Sequence, residues 1–397
     1  MDYAAGAPVF SVVAKAREVA EKQFSNASSI HKDGVAVREA VEMARKVVAE
    51  ALHAGTTEII FTSTGTESDN LAILGAIDFA VIEGQILKPH IVTLVTEHPA
   101  VIERYKNLEK KGVEVTYVPV SSDGLVDPKD IRDALRPETI LVSVMYANNE
   151  IGVVQPIREI AKEIRHYRKA QSSKLKAESL NERYPLFHTD ACQAAGYLNM
   201  NTEQLGVDLM SFSSIKLGGG HGAAVLYVKR GTPIMSILFG GSQERGLRPG
   251  TENMPAIVAL AAALTEAEKM KEKEVAFLQI LQSYFISELQ TLFSGIRING
   301  SLEYRVPNNV HVSIPNISSE LLVLELDAKG ISASAGSACD STKDIGSHVL
   351  EALYGKDDAK VWGSVRFSFG YKTTRKEINS VIKALKQIVE KYSRFTQ

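Results

Sequence analysis

The sequence predicts an α/β chain: one large unit with a mainly parallel sheet covered by helices, and a smaller α+β unit after it. Three observations predict this. Short apolar runs alternate with helical segments through residues 58–228; a long helical stretch follows; and the pattern then changes to spaced strands with a terminal helix. The length of 397 residues, at about 150 residues per domain, agrees with two or three domains.

The elements follow in order. Glu58–Phe61 reads as a buried strand and Asn70–Ile82 as a helix. His90–Val95 is strand-like, Ala100–Lys111 helical, and Val113–Val118 and Ile140–Met145 are strands, with the helix Pro156–Tyr167 behind the second. Leu186–His188, Leu209–Phe212 and Ala223–Val228 complete the set. Strands joined through single helices require right-handed crossovers, and so a largely parallel sheet buried on both faces. Arg168–Arg183 is polar with almost no apolar position, a solvated loop or helix extension. The helical stretch Ala256–Phe293 ends near Gly295; beyond it Val310–Ile314, Ile331–Ala333 and Val365–Phe369 read as strands and Lys376–Tyr392 as a helix. The expected division is a large unit, 13–255, and a small one made of 1–12 and 256–397.

Composition excludes several function classes. Hydrophobic residues make up 45% and charged residues 23%, a globular balance able to bury a core without cross-links. Lys+Arg of 45 against Asp+Glu of 47 gives a net charge of -2, with no surplus for nucleic acid. The two cysteines, Cys192 and Cys339, cannot form a Cys₄ metal site or a disulfide framework, so no metal is expected. Met1-Asp2-Tyr3 lacks the basic and apolar regions of a secretory signal, and the longest apolar run, Met254–Leu264, is too short for a bilayer. The expectation is a chain with reduced thiols, cytoplasmic or in an organelle matrix, without membrane contact.

Several segments can carry chemistry. Thr62-Ser-Thr-Gly65-Thr66-Glu67-Ser68 lies between a strand and a helix, where Gly65 opens the backbone and Thr66 adds a hydroxyl. A helix N-terminus of that composition suits a phosphate, and equally a plain N-cap. Asp190 falls at a strand's C-terminal end, the edge facing the ligand crevice of an open α/β sheet; a loop cap is the plainer reading. Lys216 lies between two apolar strands in Ser213-Ser-Ile-Lys-Leu-Gly-Gly-Gly-His221-Gly222. An enclosed lysine there suits Schiff-base chemistry, and an exposed one would be a surface loop residue. The run Gly218–Ala223 imitates a dinucleotide fingerprint but precedes a strand, which excludes it. Small residues surround Cys339 from Ser332 to Thr342, predicting an exposed, mobile thiol that is either a nucleophile or a chance surface cysteine. Cys192, following Asp190, reads as buried and inert. A phosphate cup, an aspartate and a Schiff-base lysine together are the needs of pyridoxal 5'-phosphate.

With those motifs in place, the chain resembles the cysteine desulfurase and selenocysteine lyase family, pyridoxal phosphate-dependent enzymes of fold type I. The resemblance runs almost end to end, through Asp2–Ala5, Ser28–His31, Phe61–Ser68, Glu97-His98, Asn148–Gly152, His188–Gln193, Gly240–Asn253, Gly336–Cys339 and Val365–Gly370. It implies that Lys216 bonds the cofactor aldehyde, Asp190 pairs with the pyridine nitrogen, Gln193 bonds the phenolic oxygen and His98 stacks on the ring. Gly65, Thr66 and Ser213 would hold the phosphate, with Thr251 reaching in from the other subunit of a homodimer. Asn149 and Arg366 would bind the carboxylate of L-cysteine, and Cys339 would take its sulfur as a persulfide for an acceptor such as an iron–sulfur scaffold. Selenocysteine lyase and a degenerate scaffold protein are the alternatives. One departure stands out: the family's usual histidine before the lysine is Ile215 here, which removes a charge-assisted hydrogen bond worth about 1.5–3 kcal/mol. Whether His221 compensates stays open at this level.

Overall fold

The computed structural model describes residues 1–172, 183–293, 295–336 and 346–393. Two helices, α1 (Ser11–Glu21) and α2 (Lys32–Leu52), precede the sheet; neither was among the expected elements. In α2, Val37, Val41, Ala44, Val48 and Leu52 recur every three or four residues and form one buried stripe. The alternating region follows as β1 (Ile59–Thr62), α3 (Gly65–Ile82), β2 (His90–Leu94), α4 (Pro99–Glu109), β3 (Glu114–Val118) and α5 (Pro128–Asp133). It continues through β4 (Thr139–Ser143), α6 (Ile157–Ser172), β5 (Leu186–Asp190), α7 (Thr202–Leu205), β6 (Leu209–Ser213) and β7 (Ala224–Val228).

These seven strands form one sheet in the order β1-β7-β6-β5-β4-β2-β3. Pairings from β3 through β6 are parallel, and β2, β4, β5 and β6 are buried along their whole length, with β3 the partly exposed edge. β7 is the exception and runs antiparallel to both β6 and β1. The chain therefore passes from β6 to β7 at one edge without a crossover, and this turn carries Lys216. α6 enters the polar segment: Arg168 donates to the carbonyl of Pro185 and pairs with Asp208, which makes residues 168–172 a helix extension and not a loop.

The long helix α8 (Met254–Leu292) runs between two apolar cores. Ala256–Ala267 packs into the core of the large sheet, and Leu278, Leu281, Phe285 and Leu289 into the second. The second core lies on a three-stranded antiparallel sheet, β10-β9-β8, of β8 (Arg297–Ile298), β9 (Asn309–Pro315) and β10 (Trp362–Ser368). Helices α9 (Ser319–Asp327), α10 (His348–Tyr354), α11 (Lys356–Val361) and α12 (Arg375–Ser393) complete the chain. The expected strand Ile331–Ala333 does not form. Ile331 and Ala333 pack against the second core, and only Ser334 exchanges backbone hydrogen bonds with Arg366. The N-terminus closes the other side: Met1 donates its ammonium to Ser332 O at 2.8 Å, and Ser368 N donates to Met1 O at 3.0 Å.

Candidate active site

The C-terminal ends of β1, β4, β5 and β6 meet one cavity of about 260 Å³. Nine of the eleven residues singled out from the sequence line it: Gly65, Thr66, His98, Asn149, Asp190, Gln193, Ser213, Lys216 and Arg366. Thr251 is exposed and stands outside the cavity of this single chain, and Cys339 lies outside the described residues.

Each group is placed by its element. α3 begins at Gly65, with Thr64 Oγ1 accepting from Glu67 N at 3.1 Å; this ordinary N-cap leaves the first turn's N–H groups at the cavity wall. A Cβ built on Gly65 would stand 2.7 Å from Cys192 Sγ, so a side chain there requires the thiol or the turn to shift. Behind this turn, Arg248 bonds Glu67 Oε1 at 2.7 Å and Ser63 Oγ at 2.8 Å, and Glu67 Oε2 accepts from Ser63 N at 2.8 Å. His98 caps α4, its Nδ1 accepting from Ala100 N at 3.1 Å.

Lys216 follows β6. Its Nζ donates to the carbonyls of Ala4 at 2.6 Å and Ala5 at 2.8 Å, so the N-terminal segment holds the lysine in the cavity. Gln193 Nε2 donates to the same Ala4 carbonyl at 3.1 Å. Arg366, 2% exposed, also lines the cavity: Nη1 donates to Asn149 O at 2.6 Å, Nη2 pairs with Asp2 Oδ1 at 3.0 Å, and Nε has no partner among the described residues. Asp2 is fixed in turn by Ser334 Oγ, 2.8 Å from its Oδ2.

A set of buried polar groups lies beneath the floor, and sequence reasoning did not find it as a set. His188 contacts Ser143 Oγ at 2.9 Å through Nδ1 and Ser211 Oγ at 3.1 Å through Nε2, with Asp69 Oδ1 3.6 Å away. Burial lowers the His188 pKa to about 4, against the opposing pull of Asp190, so the imidazole is neutral. Burial pushes the Asp69 carboxyl well above its usual range, and the Asp190 charge adds to this. Glu97 rises for the same first reason, although it accepts from Met145 N at 2.8 Å. Cys192 also lines the cavity; its thiol is pushed up by burial and by Asp190, and remains protonated at neutral pH. Asp69 carried no distinctive local signal, since Thr66, Glu67, Ser68 and Asn70 beside it make the first turns of α3 polar as a whole.

The geometry fits pyridoxal phosphate on its own terms. It offers an amine, a strand-end carboxylate, and a helix N-terminus whose glycine leaves room that a side chain would close. The class-V aminotransferase family model matches residues 1–381. This chain belongs to the class-V aminotransferase family. Proteins similar to it include cysteine desulfurases. The cysteine desulfurase IscS of Dictyoglomus turgidum is 41% identical over 98% of this chain and 94% of its own length. That of Methanosarcina thermophila is 40% identical over 98% and 92%. Among solved structures, a NifS-like protein superposes with a TM-score of 0.87 at 32% identity, covering 98% of both chains. The protein SspA in complex with cysteine gives 0.75 at 28% identity, covering 94% of this chain and 99% of its own. The chain is thus a cysteine desulfurase by family, of pyridoxal phosphate fold type I, and its cofactor is pyridoxal 5'-phosphate.

Proposed function

We propose that this desulfurase moves the sulfur of L-cysteine onto Cys339, releases L-alanine, and delivers the sulfur to an acceptor protein such as an iron–sulfur scaffold. The observation that carries the reading is the convergence of Lys216, Asp190, Arg366 and the Gly65 helix terminus on one cavity. When bound, the cofactor supplies an electron sink for charge developing at the substrate Cα.

The chain's own groups do the rest. Asp190 pairs with the ring nitrogen, Gln193 bonds the phenolic oxygen, and His98 stacks on the ring and assists proton transfer. Gly65, Thr66 and Ser213 hold the phosphate, joined by Thr251 of a second copy in a homodimer. Arg366 forms a bidentate pair with the substrate carboxylate beside Asn149. Lys216 Nζ takes the Cα proton as general base. The Cys339 thiolate attacks the substrate sulfur; the S–Cβ bond breaks, a sulfur–sulfur bond forms, and protonation of the three-carbon remainder gives alanine. Atoms balance: cysteine and a thiol become alanine and a persulfide. The division into a unit of 13–255 and a unit of 1–12 with 256–397 puts the cavity at their junction, with Asp2, Ala4, Ala5 and Arg366 supplied by the small unit. Exposed Phe24, Ile30 and Phe239, each above 90% accessible in one chain, support burial against a second copy. A cytoplasmic setting, or an organelle matrix, agrees with the redox chemistry of a free thiol; among the described residues no helix is long and apolar enough to cross a membrane.

The test is intact-mass spectrometry of cofactor-loaded protein after anaerobic incubation with L-cysteine, beside Cys339→Ser. The expected result is one added sulfur on the unaltered chain alone. No added sulfur with the cofactor bound would instead support a non-catalytic scaffold, and faster turnover of selenocysteine than of cysteine would support a lyase.

A further inference from the structure

The turn between β6 and β7 holds a histidine that the proposed roles leave unused. Its place follows from register. Ala224, the first residue of β7, pairs with Thr62 of β1 on one side and Ser213 of β6 on the other. β7 is antiparallel to both, so the residues entering it lie at the same sheet edge as those leaving β1 and β6. Gly220-His221-Gly222 therefore lies between the two segments proposed to cup the phosphate, Ser63–Thr66 and Ser213–Lys216. Ser214 N donates to Ala223 O at 3.1 Å and fixes the turn against β6. His221 lines the same cavity as Gly65, Thr66 and Ser213.

The local backbone presents this residue. Gly220 and Gly222 have φ of +76° and +99°, so the chain turns sharply on either side of His221 in a conformation other residues rarely adopt. The His221 carbonyl faces away toward α1, accepting from Arg17 Nη1 at 3.2 Å. Among the described residues the imidazole has no hydrogen-bond partner.

Charge gives the second half of the argument. A phosphate monoester carries between one and two negative charges at neutral pH, yet Gly65, Thr66 and Ser213 are all neutral. Ile215, directly before the lysine, is apolar and packs toward Gly6, 3.4 Å from a Cβ built there. The side chains lining the cavity that can carry positive charge are Lys216, Arg366, His98 and His221. Lys216 is bonded to Ala4 and Ala5, Arg366 is held by Asp2 and Asn149, and His98 caps α4. His221 alone is both at the cup and uncommitted.

We infer that His221 is a phosphate-binding residue of this site, donating from its imidazole to the cofactor's phosphate where Ile215 cannot. The inference rests on the cofactor orientation proposed above. It is tested by titrating apo protein with pyridoxal 5'-phosphate and with pyridoxal, which has the same ring and aldehyde but no phosphate, following the absorbance of the bound form. His221→Ala is expected to weaken pyridoxal phosphate roughly 10- to 100-fold, the loss for one charge-assisted hydrogen bond, and to leave pyridoxal within about twofold. Ile215→His added to His221→Ala should restore the preference for the phosphate form. His221→Gln, which keeps a donor, should fall between, and the thermal melts of the apo variants should match the unaltered chain. Equal loss of both ligands in His221→Ala, or loss of neither, would overturn the assignment. The underlying orientation fails separately: an unaltered chain that binds pyridoxal as tightly as pyridoxal phosphate would remove the phosphate cup itself.

Discussion

At the scale of single residues, the tightest constraint in the site is the approach of Cys192 to Gly65. The thiol sulfur would stand 2.7 Å from a Cβ at Gly65, and relief needs the sulfur to turn away or the end of β5 or the first turn of α3 to move. Gly65→Ala is therefore an overpacking substitution of the kind that costs about 1–3 kcal/mol, and the strain falls on the groups that meet the cofactor. Gly65→Ala should weaken pyridoxal phosphate binding about tenfold. Cys192→Ala in the same chain should recover most of that loss, because it removes the colliding sulfur. Absorbance titration of the single and double variants reads this directly, and a double variant no better than Gly65→Ala would show that the collision is not the cause. Gly65, Asp190 and Lys216 were legible in the sequence because each sits in a motif beside a strand, whereas His98, Asn149, Gln193, Ser213, Thr251 and Arg366 came only from the family resemblance. Their partners were not: Lys216 bonds carbonyls 211 and 212 positions away, and Arg366 pairs with Asp2 across 364. A backbone carbonyl leaves no trace in a residue pattern.

At the scale of elements, β1 shows how an edge strand next to a site is closed without another strand. Among the described residues β1 pairs only with β7. On its free side Phe61 N donates to Glu244 Oε2 at 2.8 Å, while the Ile59 carbonyl accepts from Arg45 Nη1 at 2.8 Å and Arg245 Nη1 at 3.0 Å. Arg45 and Glu244 form a two-pronged pair at 2.7 and 2.8 Å, both nearly inaccessible. This blocks edge-to-edge pairing and ties α2 to the strand that ends at Ser63–Thr66. Removing one partner leaves a buried charge and an unpaired Phe61 N–H, so Glu244→Ala should cost about 3–5 kcal/mol in urea unfolding. Arg45→Met with Glu244→Leu should cost clearly less than that single change; equal costs would argue against the ion pair as the source. Most of the strands were legible because burial on both faces makes them short, largely apolar runs. Ile331–Ala333 is interrupted by Ser332 and forms no strand, and the edge closure joins positions 199 apart, beyond any local pattern.

At the scale of the whole molecule, the same burial that builds the site makes the fold sensitive to acid. His90, His188 and His311 lie in three different places, and burial is the first cause of a lowered pKa in each, to about 4, 4 and 3. Each is neutral when folded and protonates near 6.5 when unfolded. Their contribution is complete above pH 6.5 and is lost as the pH falls toward the folded values. Asp69 and Glu97 act in the opposite sense: raised when folded, they keep their protons, and their contribution is lost as the pH rises. The two sets offset each other in mild acid, so the total slope is shallower than the histidines alone would give. His311 allows one term to be isolated. It pairs across from Arg366 in β9–β10, its Nδ1 accepts from Asn299 Nδ2 at 2.9 Å, and its buried Nε2 has no partner among the described residues. Arg366 and Arg305 add to burial in keeping it neutral. His311→Asn keeps an acceptor for Asn299 and removes the titrating group. Urea unfolding of apo protein at pH 7, 6, 5 and 4 should show the variant losing stability more slowly on acidification, by about 1.4 kcal/mol per pH unit well below 6.5, the slope of one proton. Parallel curves would mean that His311 takes up its proton in the folded chain, and the two arginines beside it would then need another explanation for the charge they tolerate.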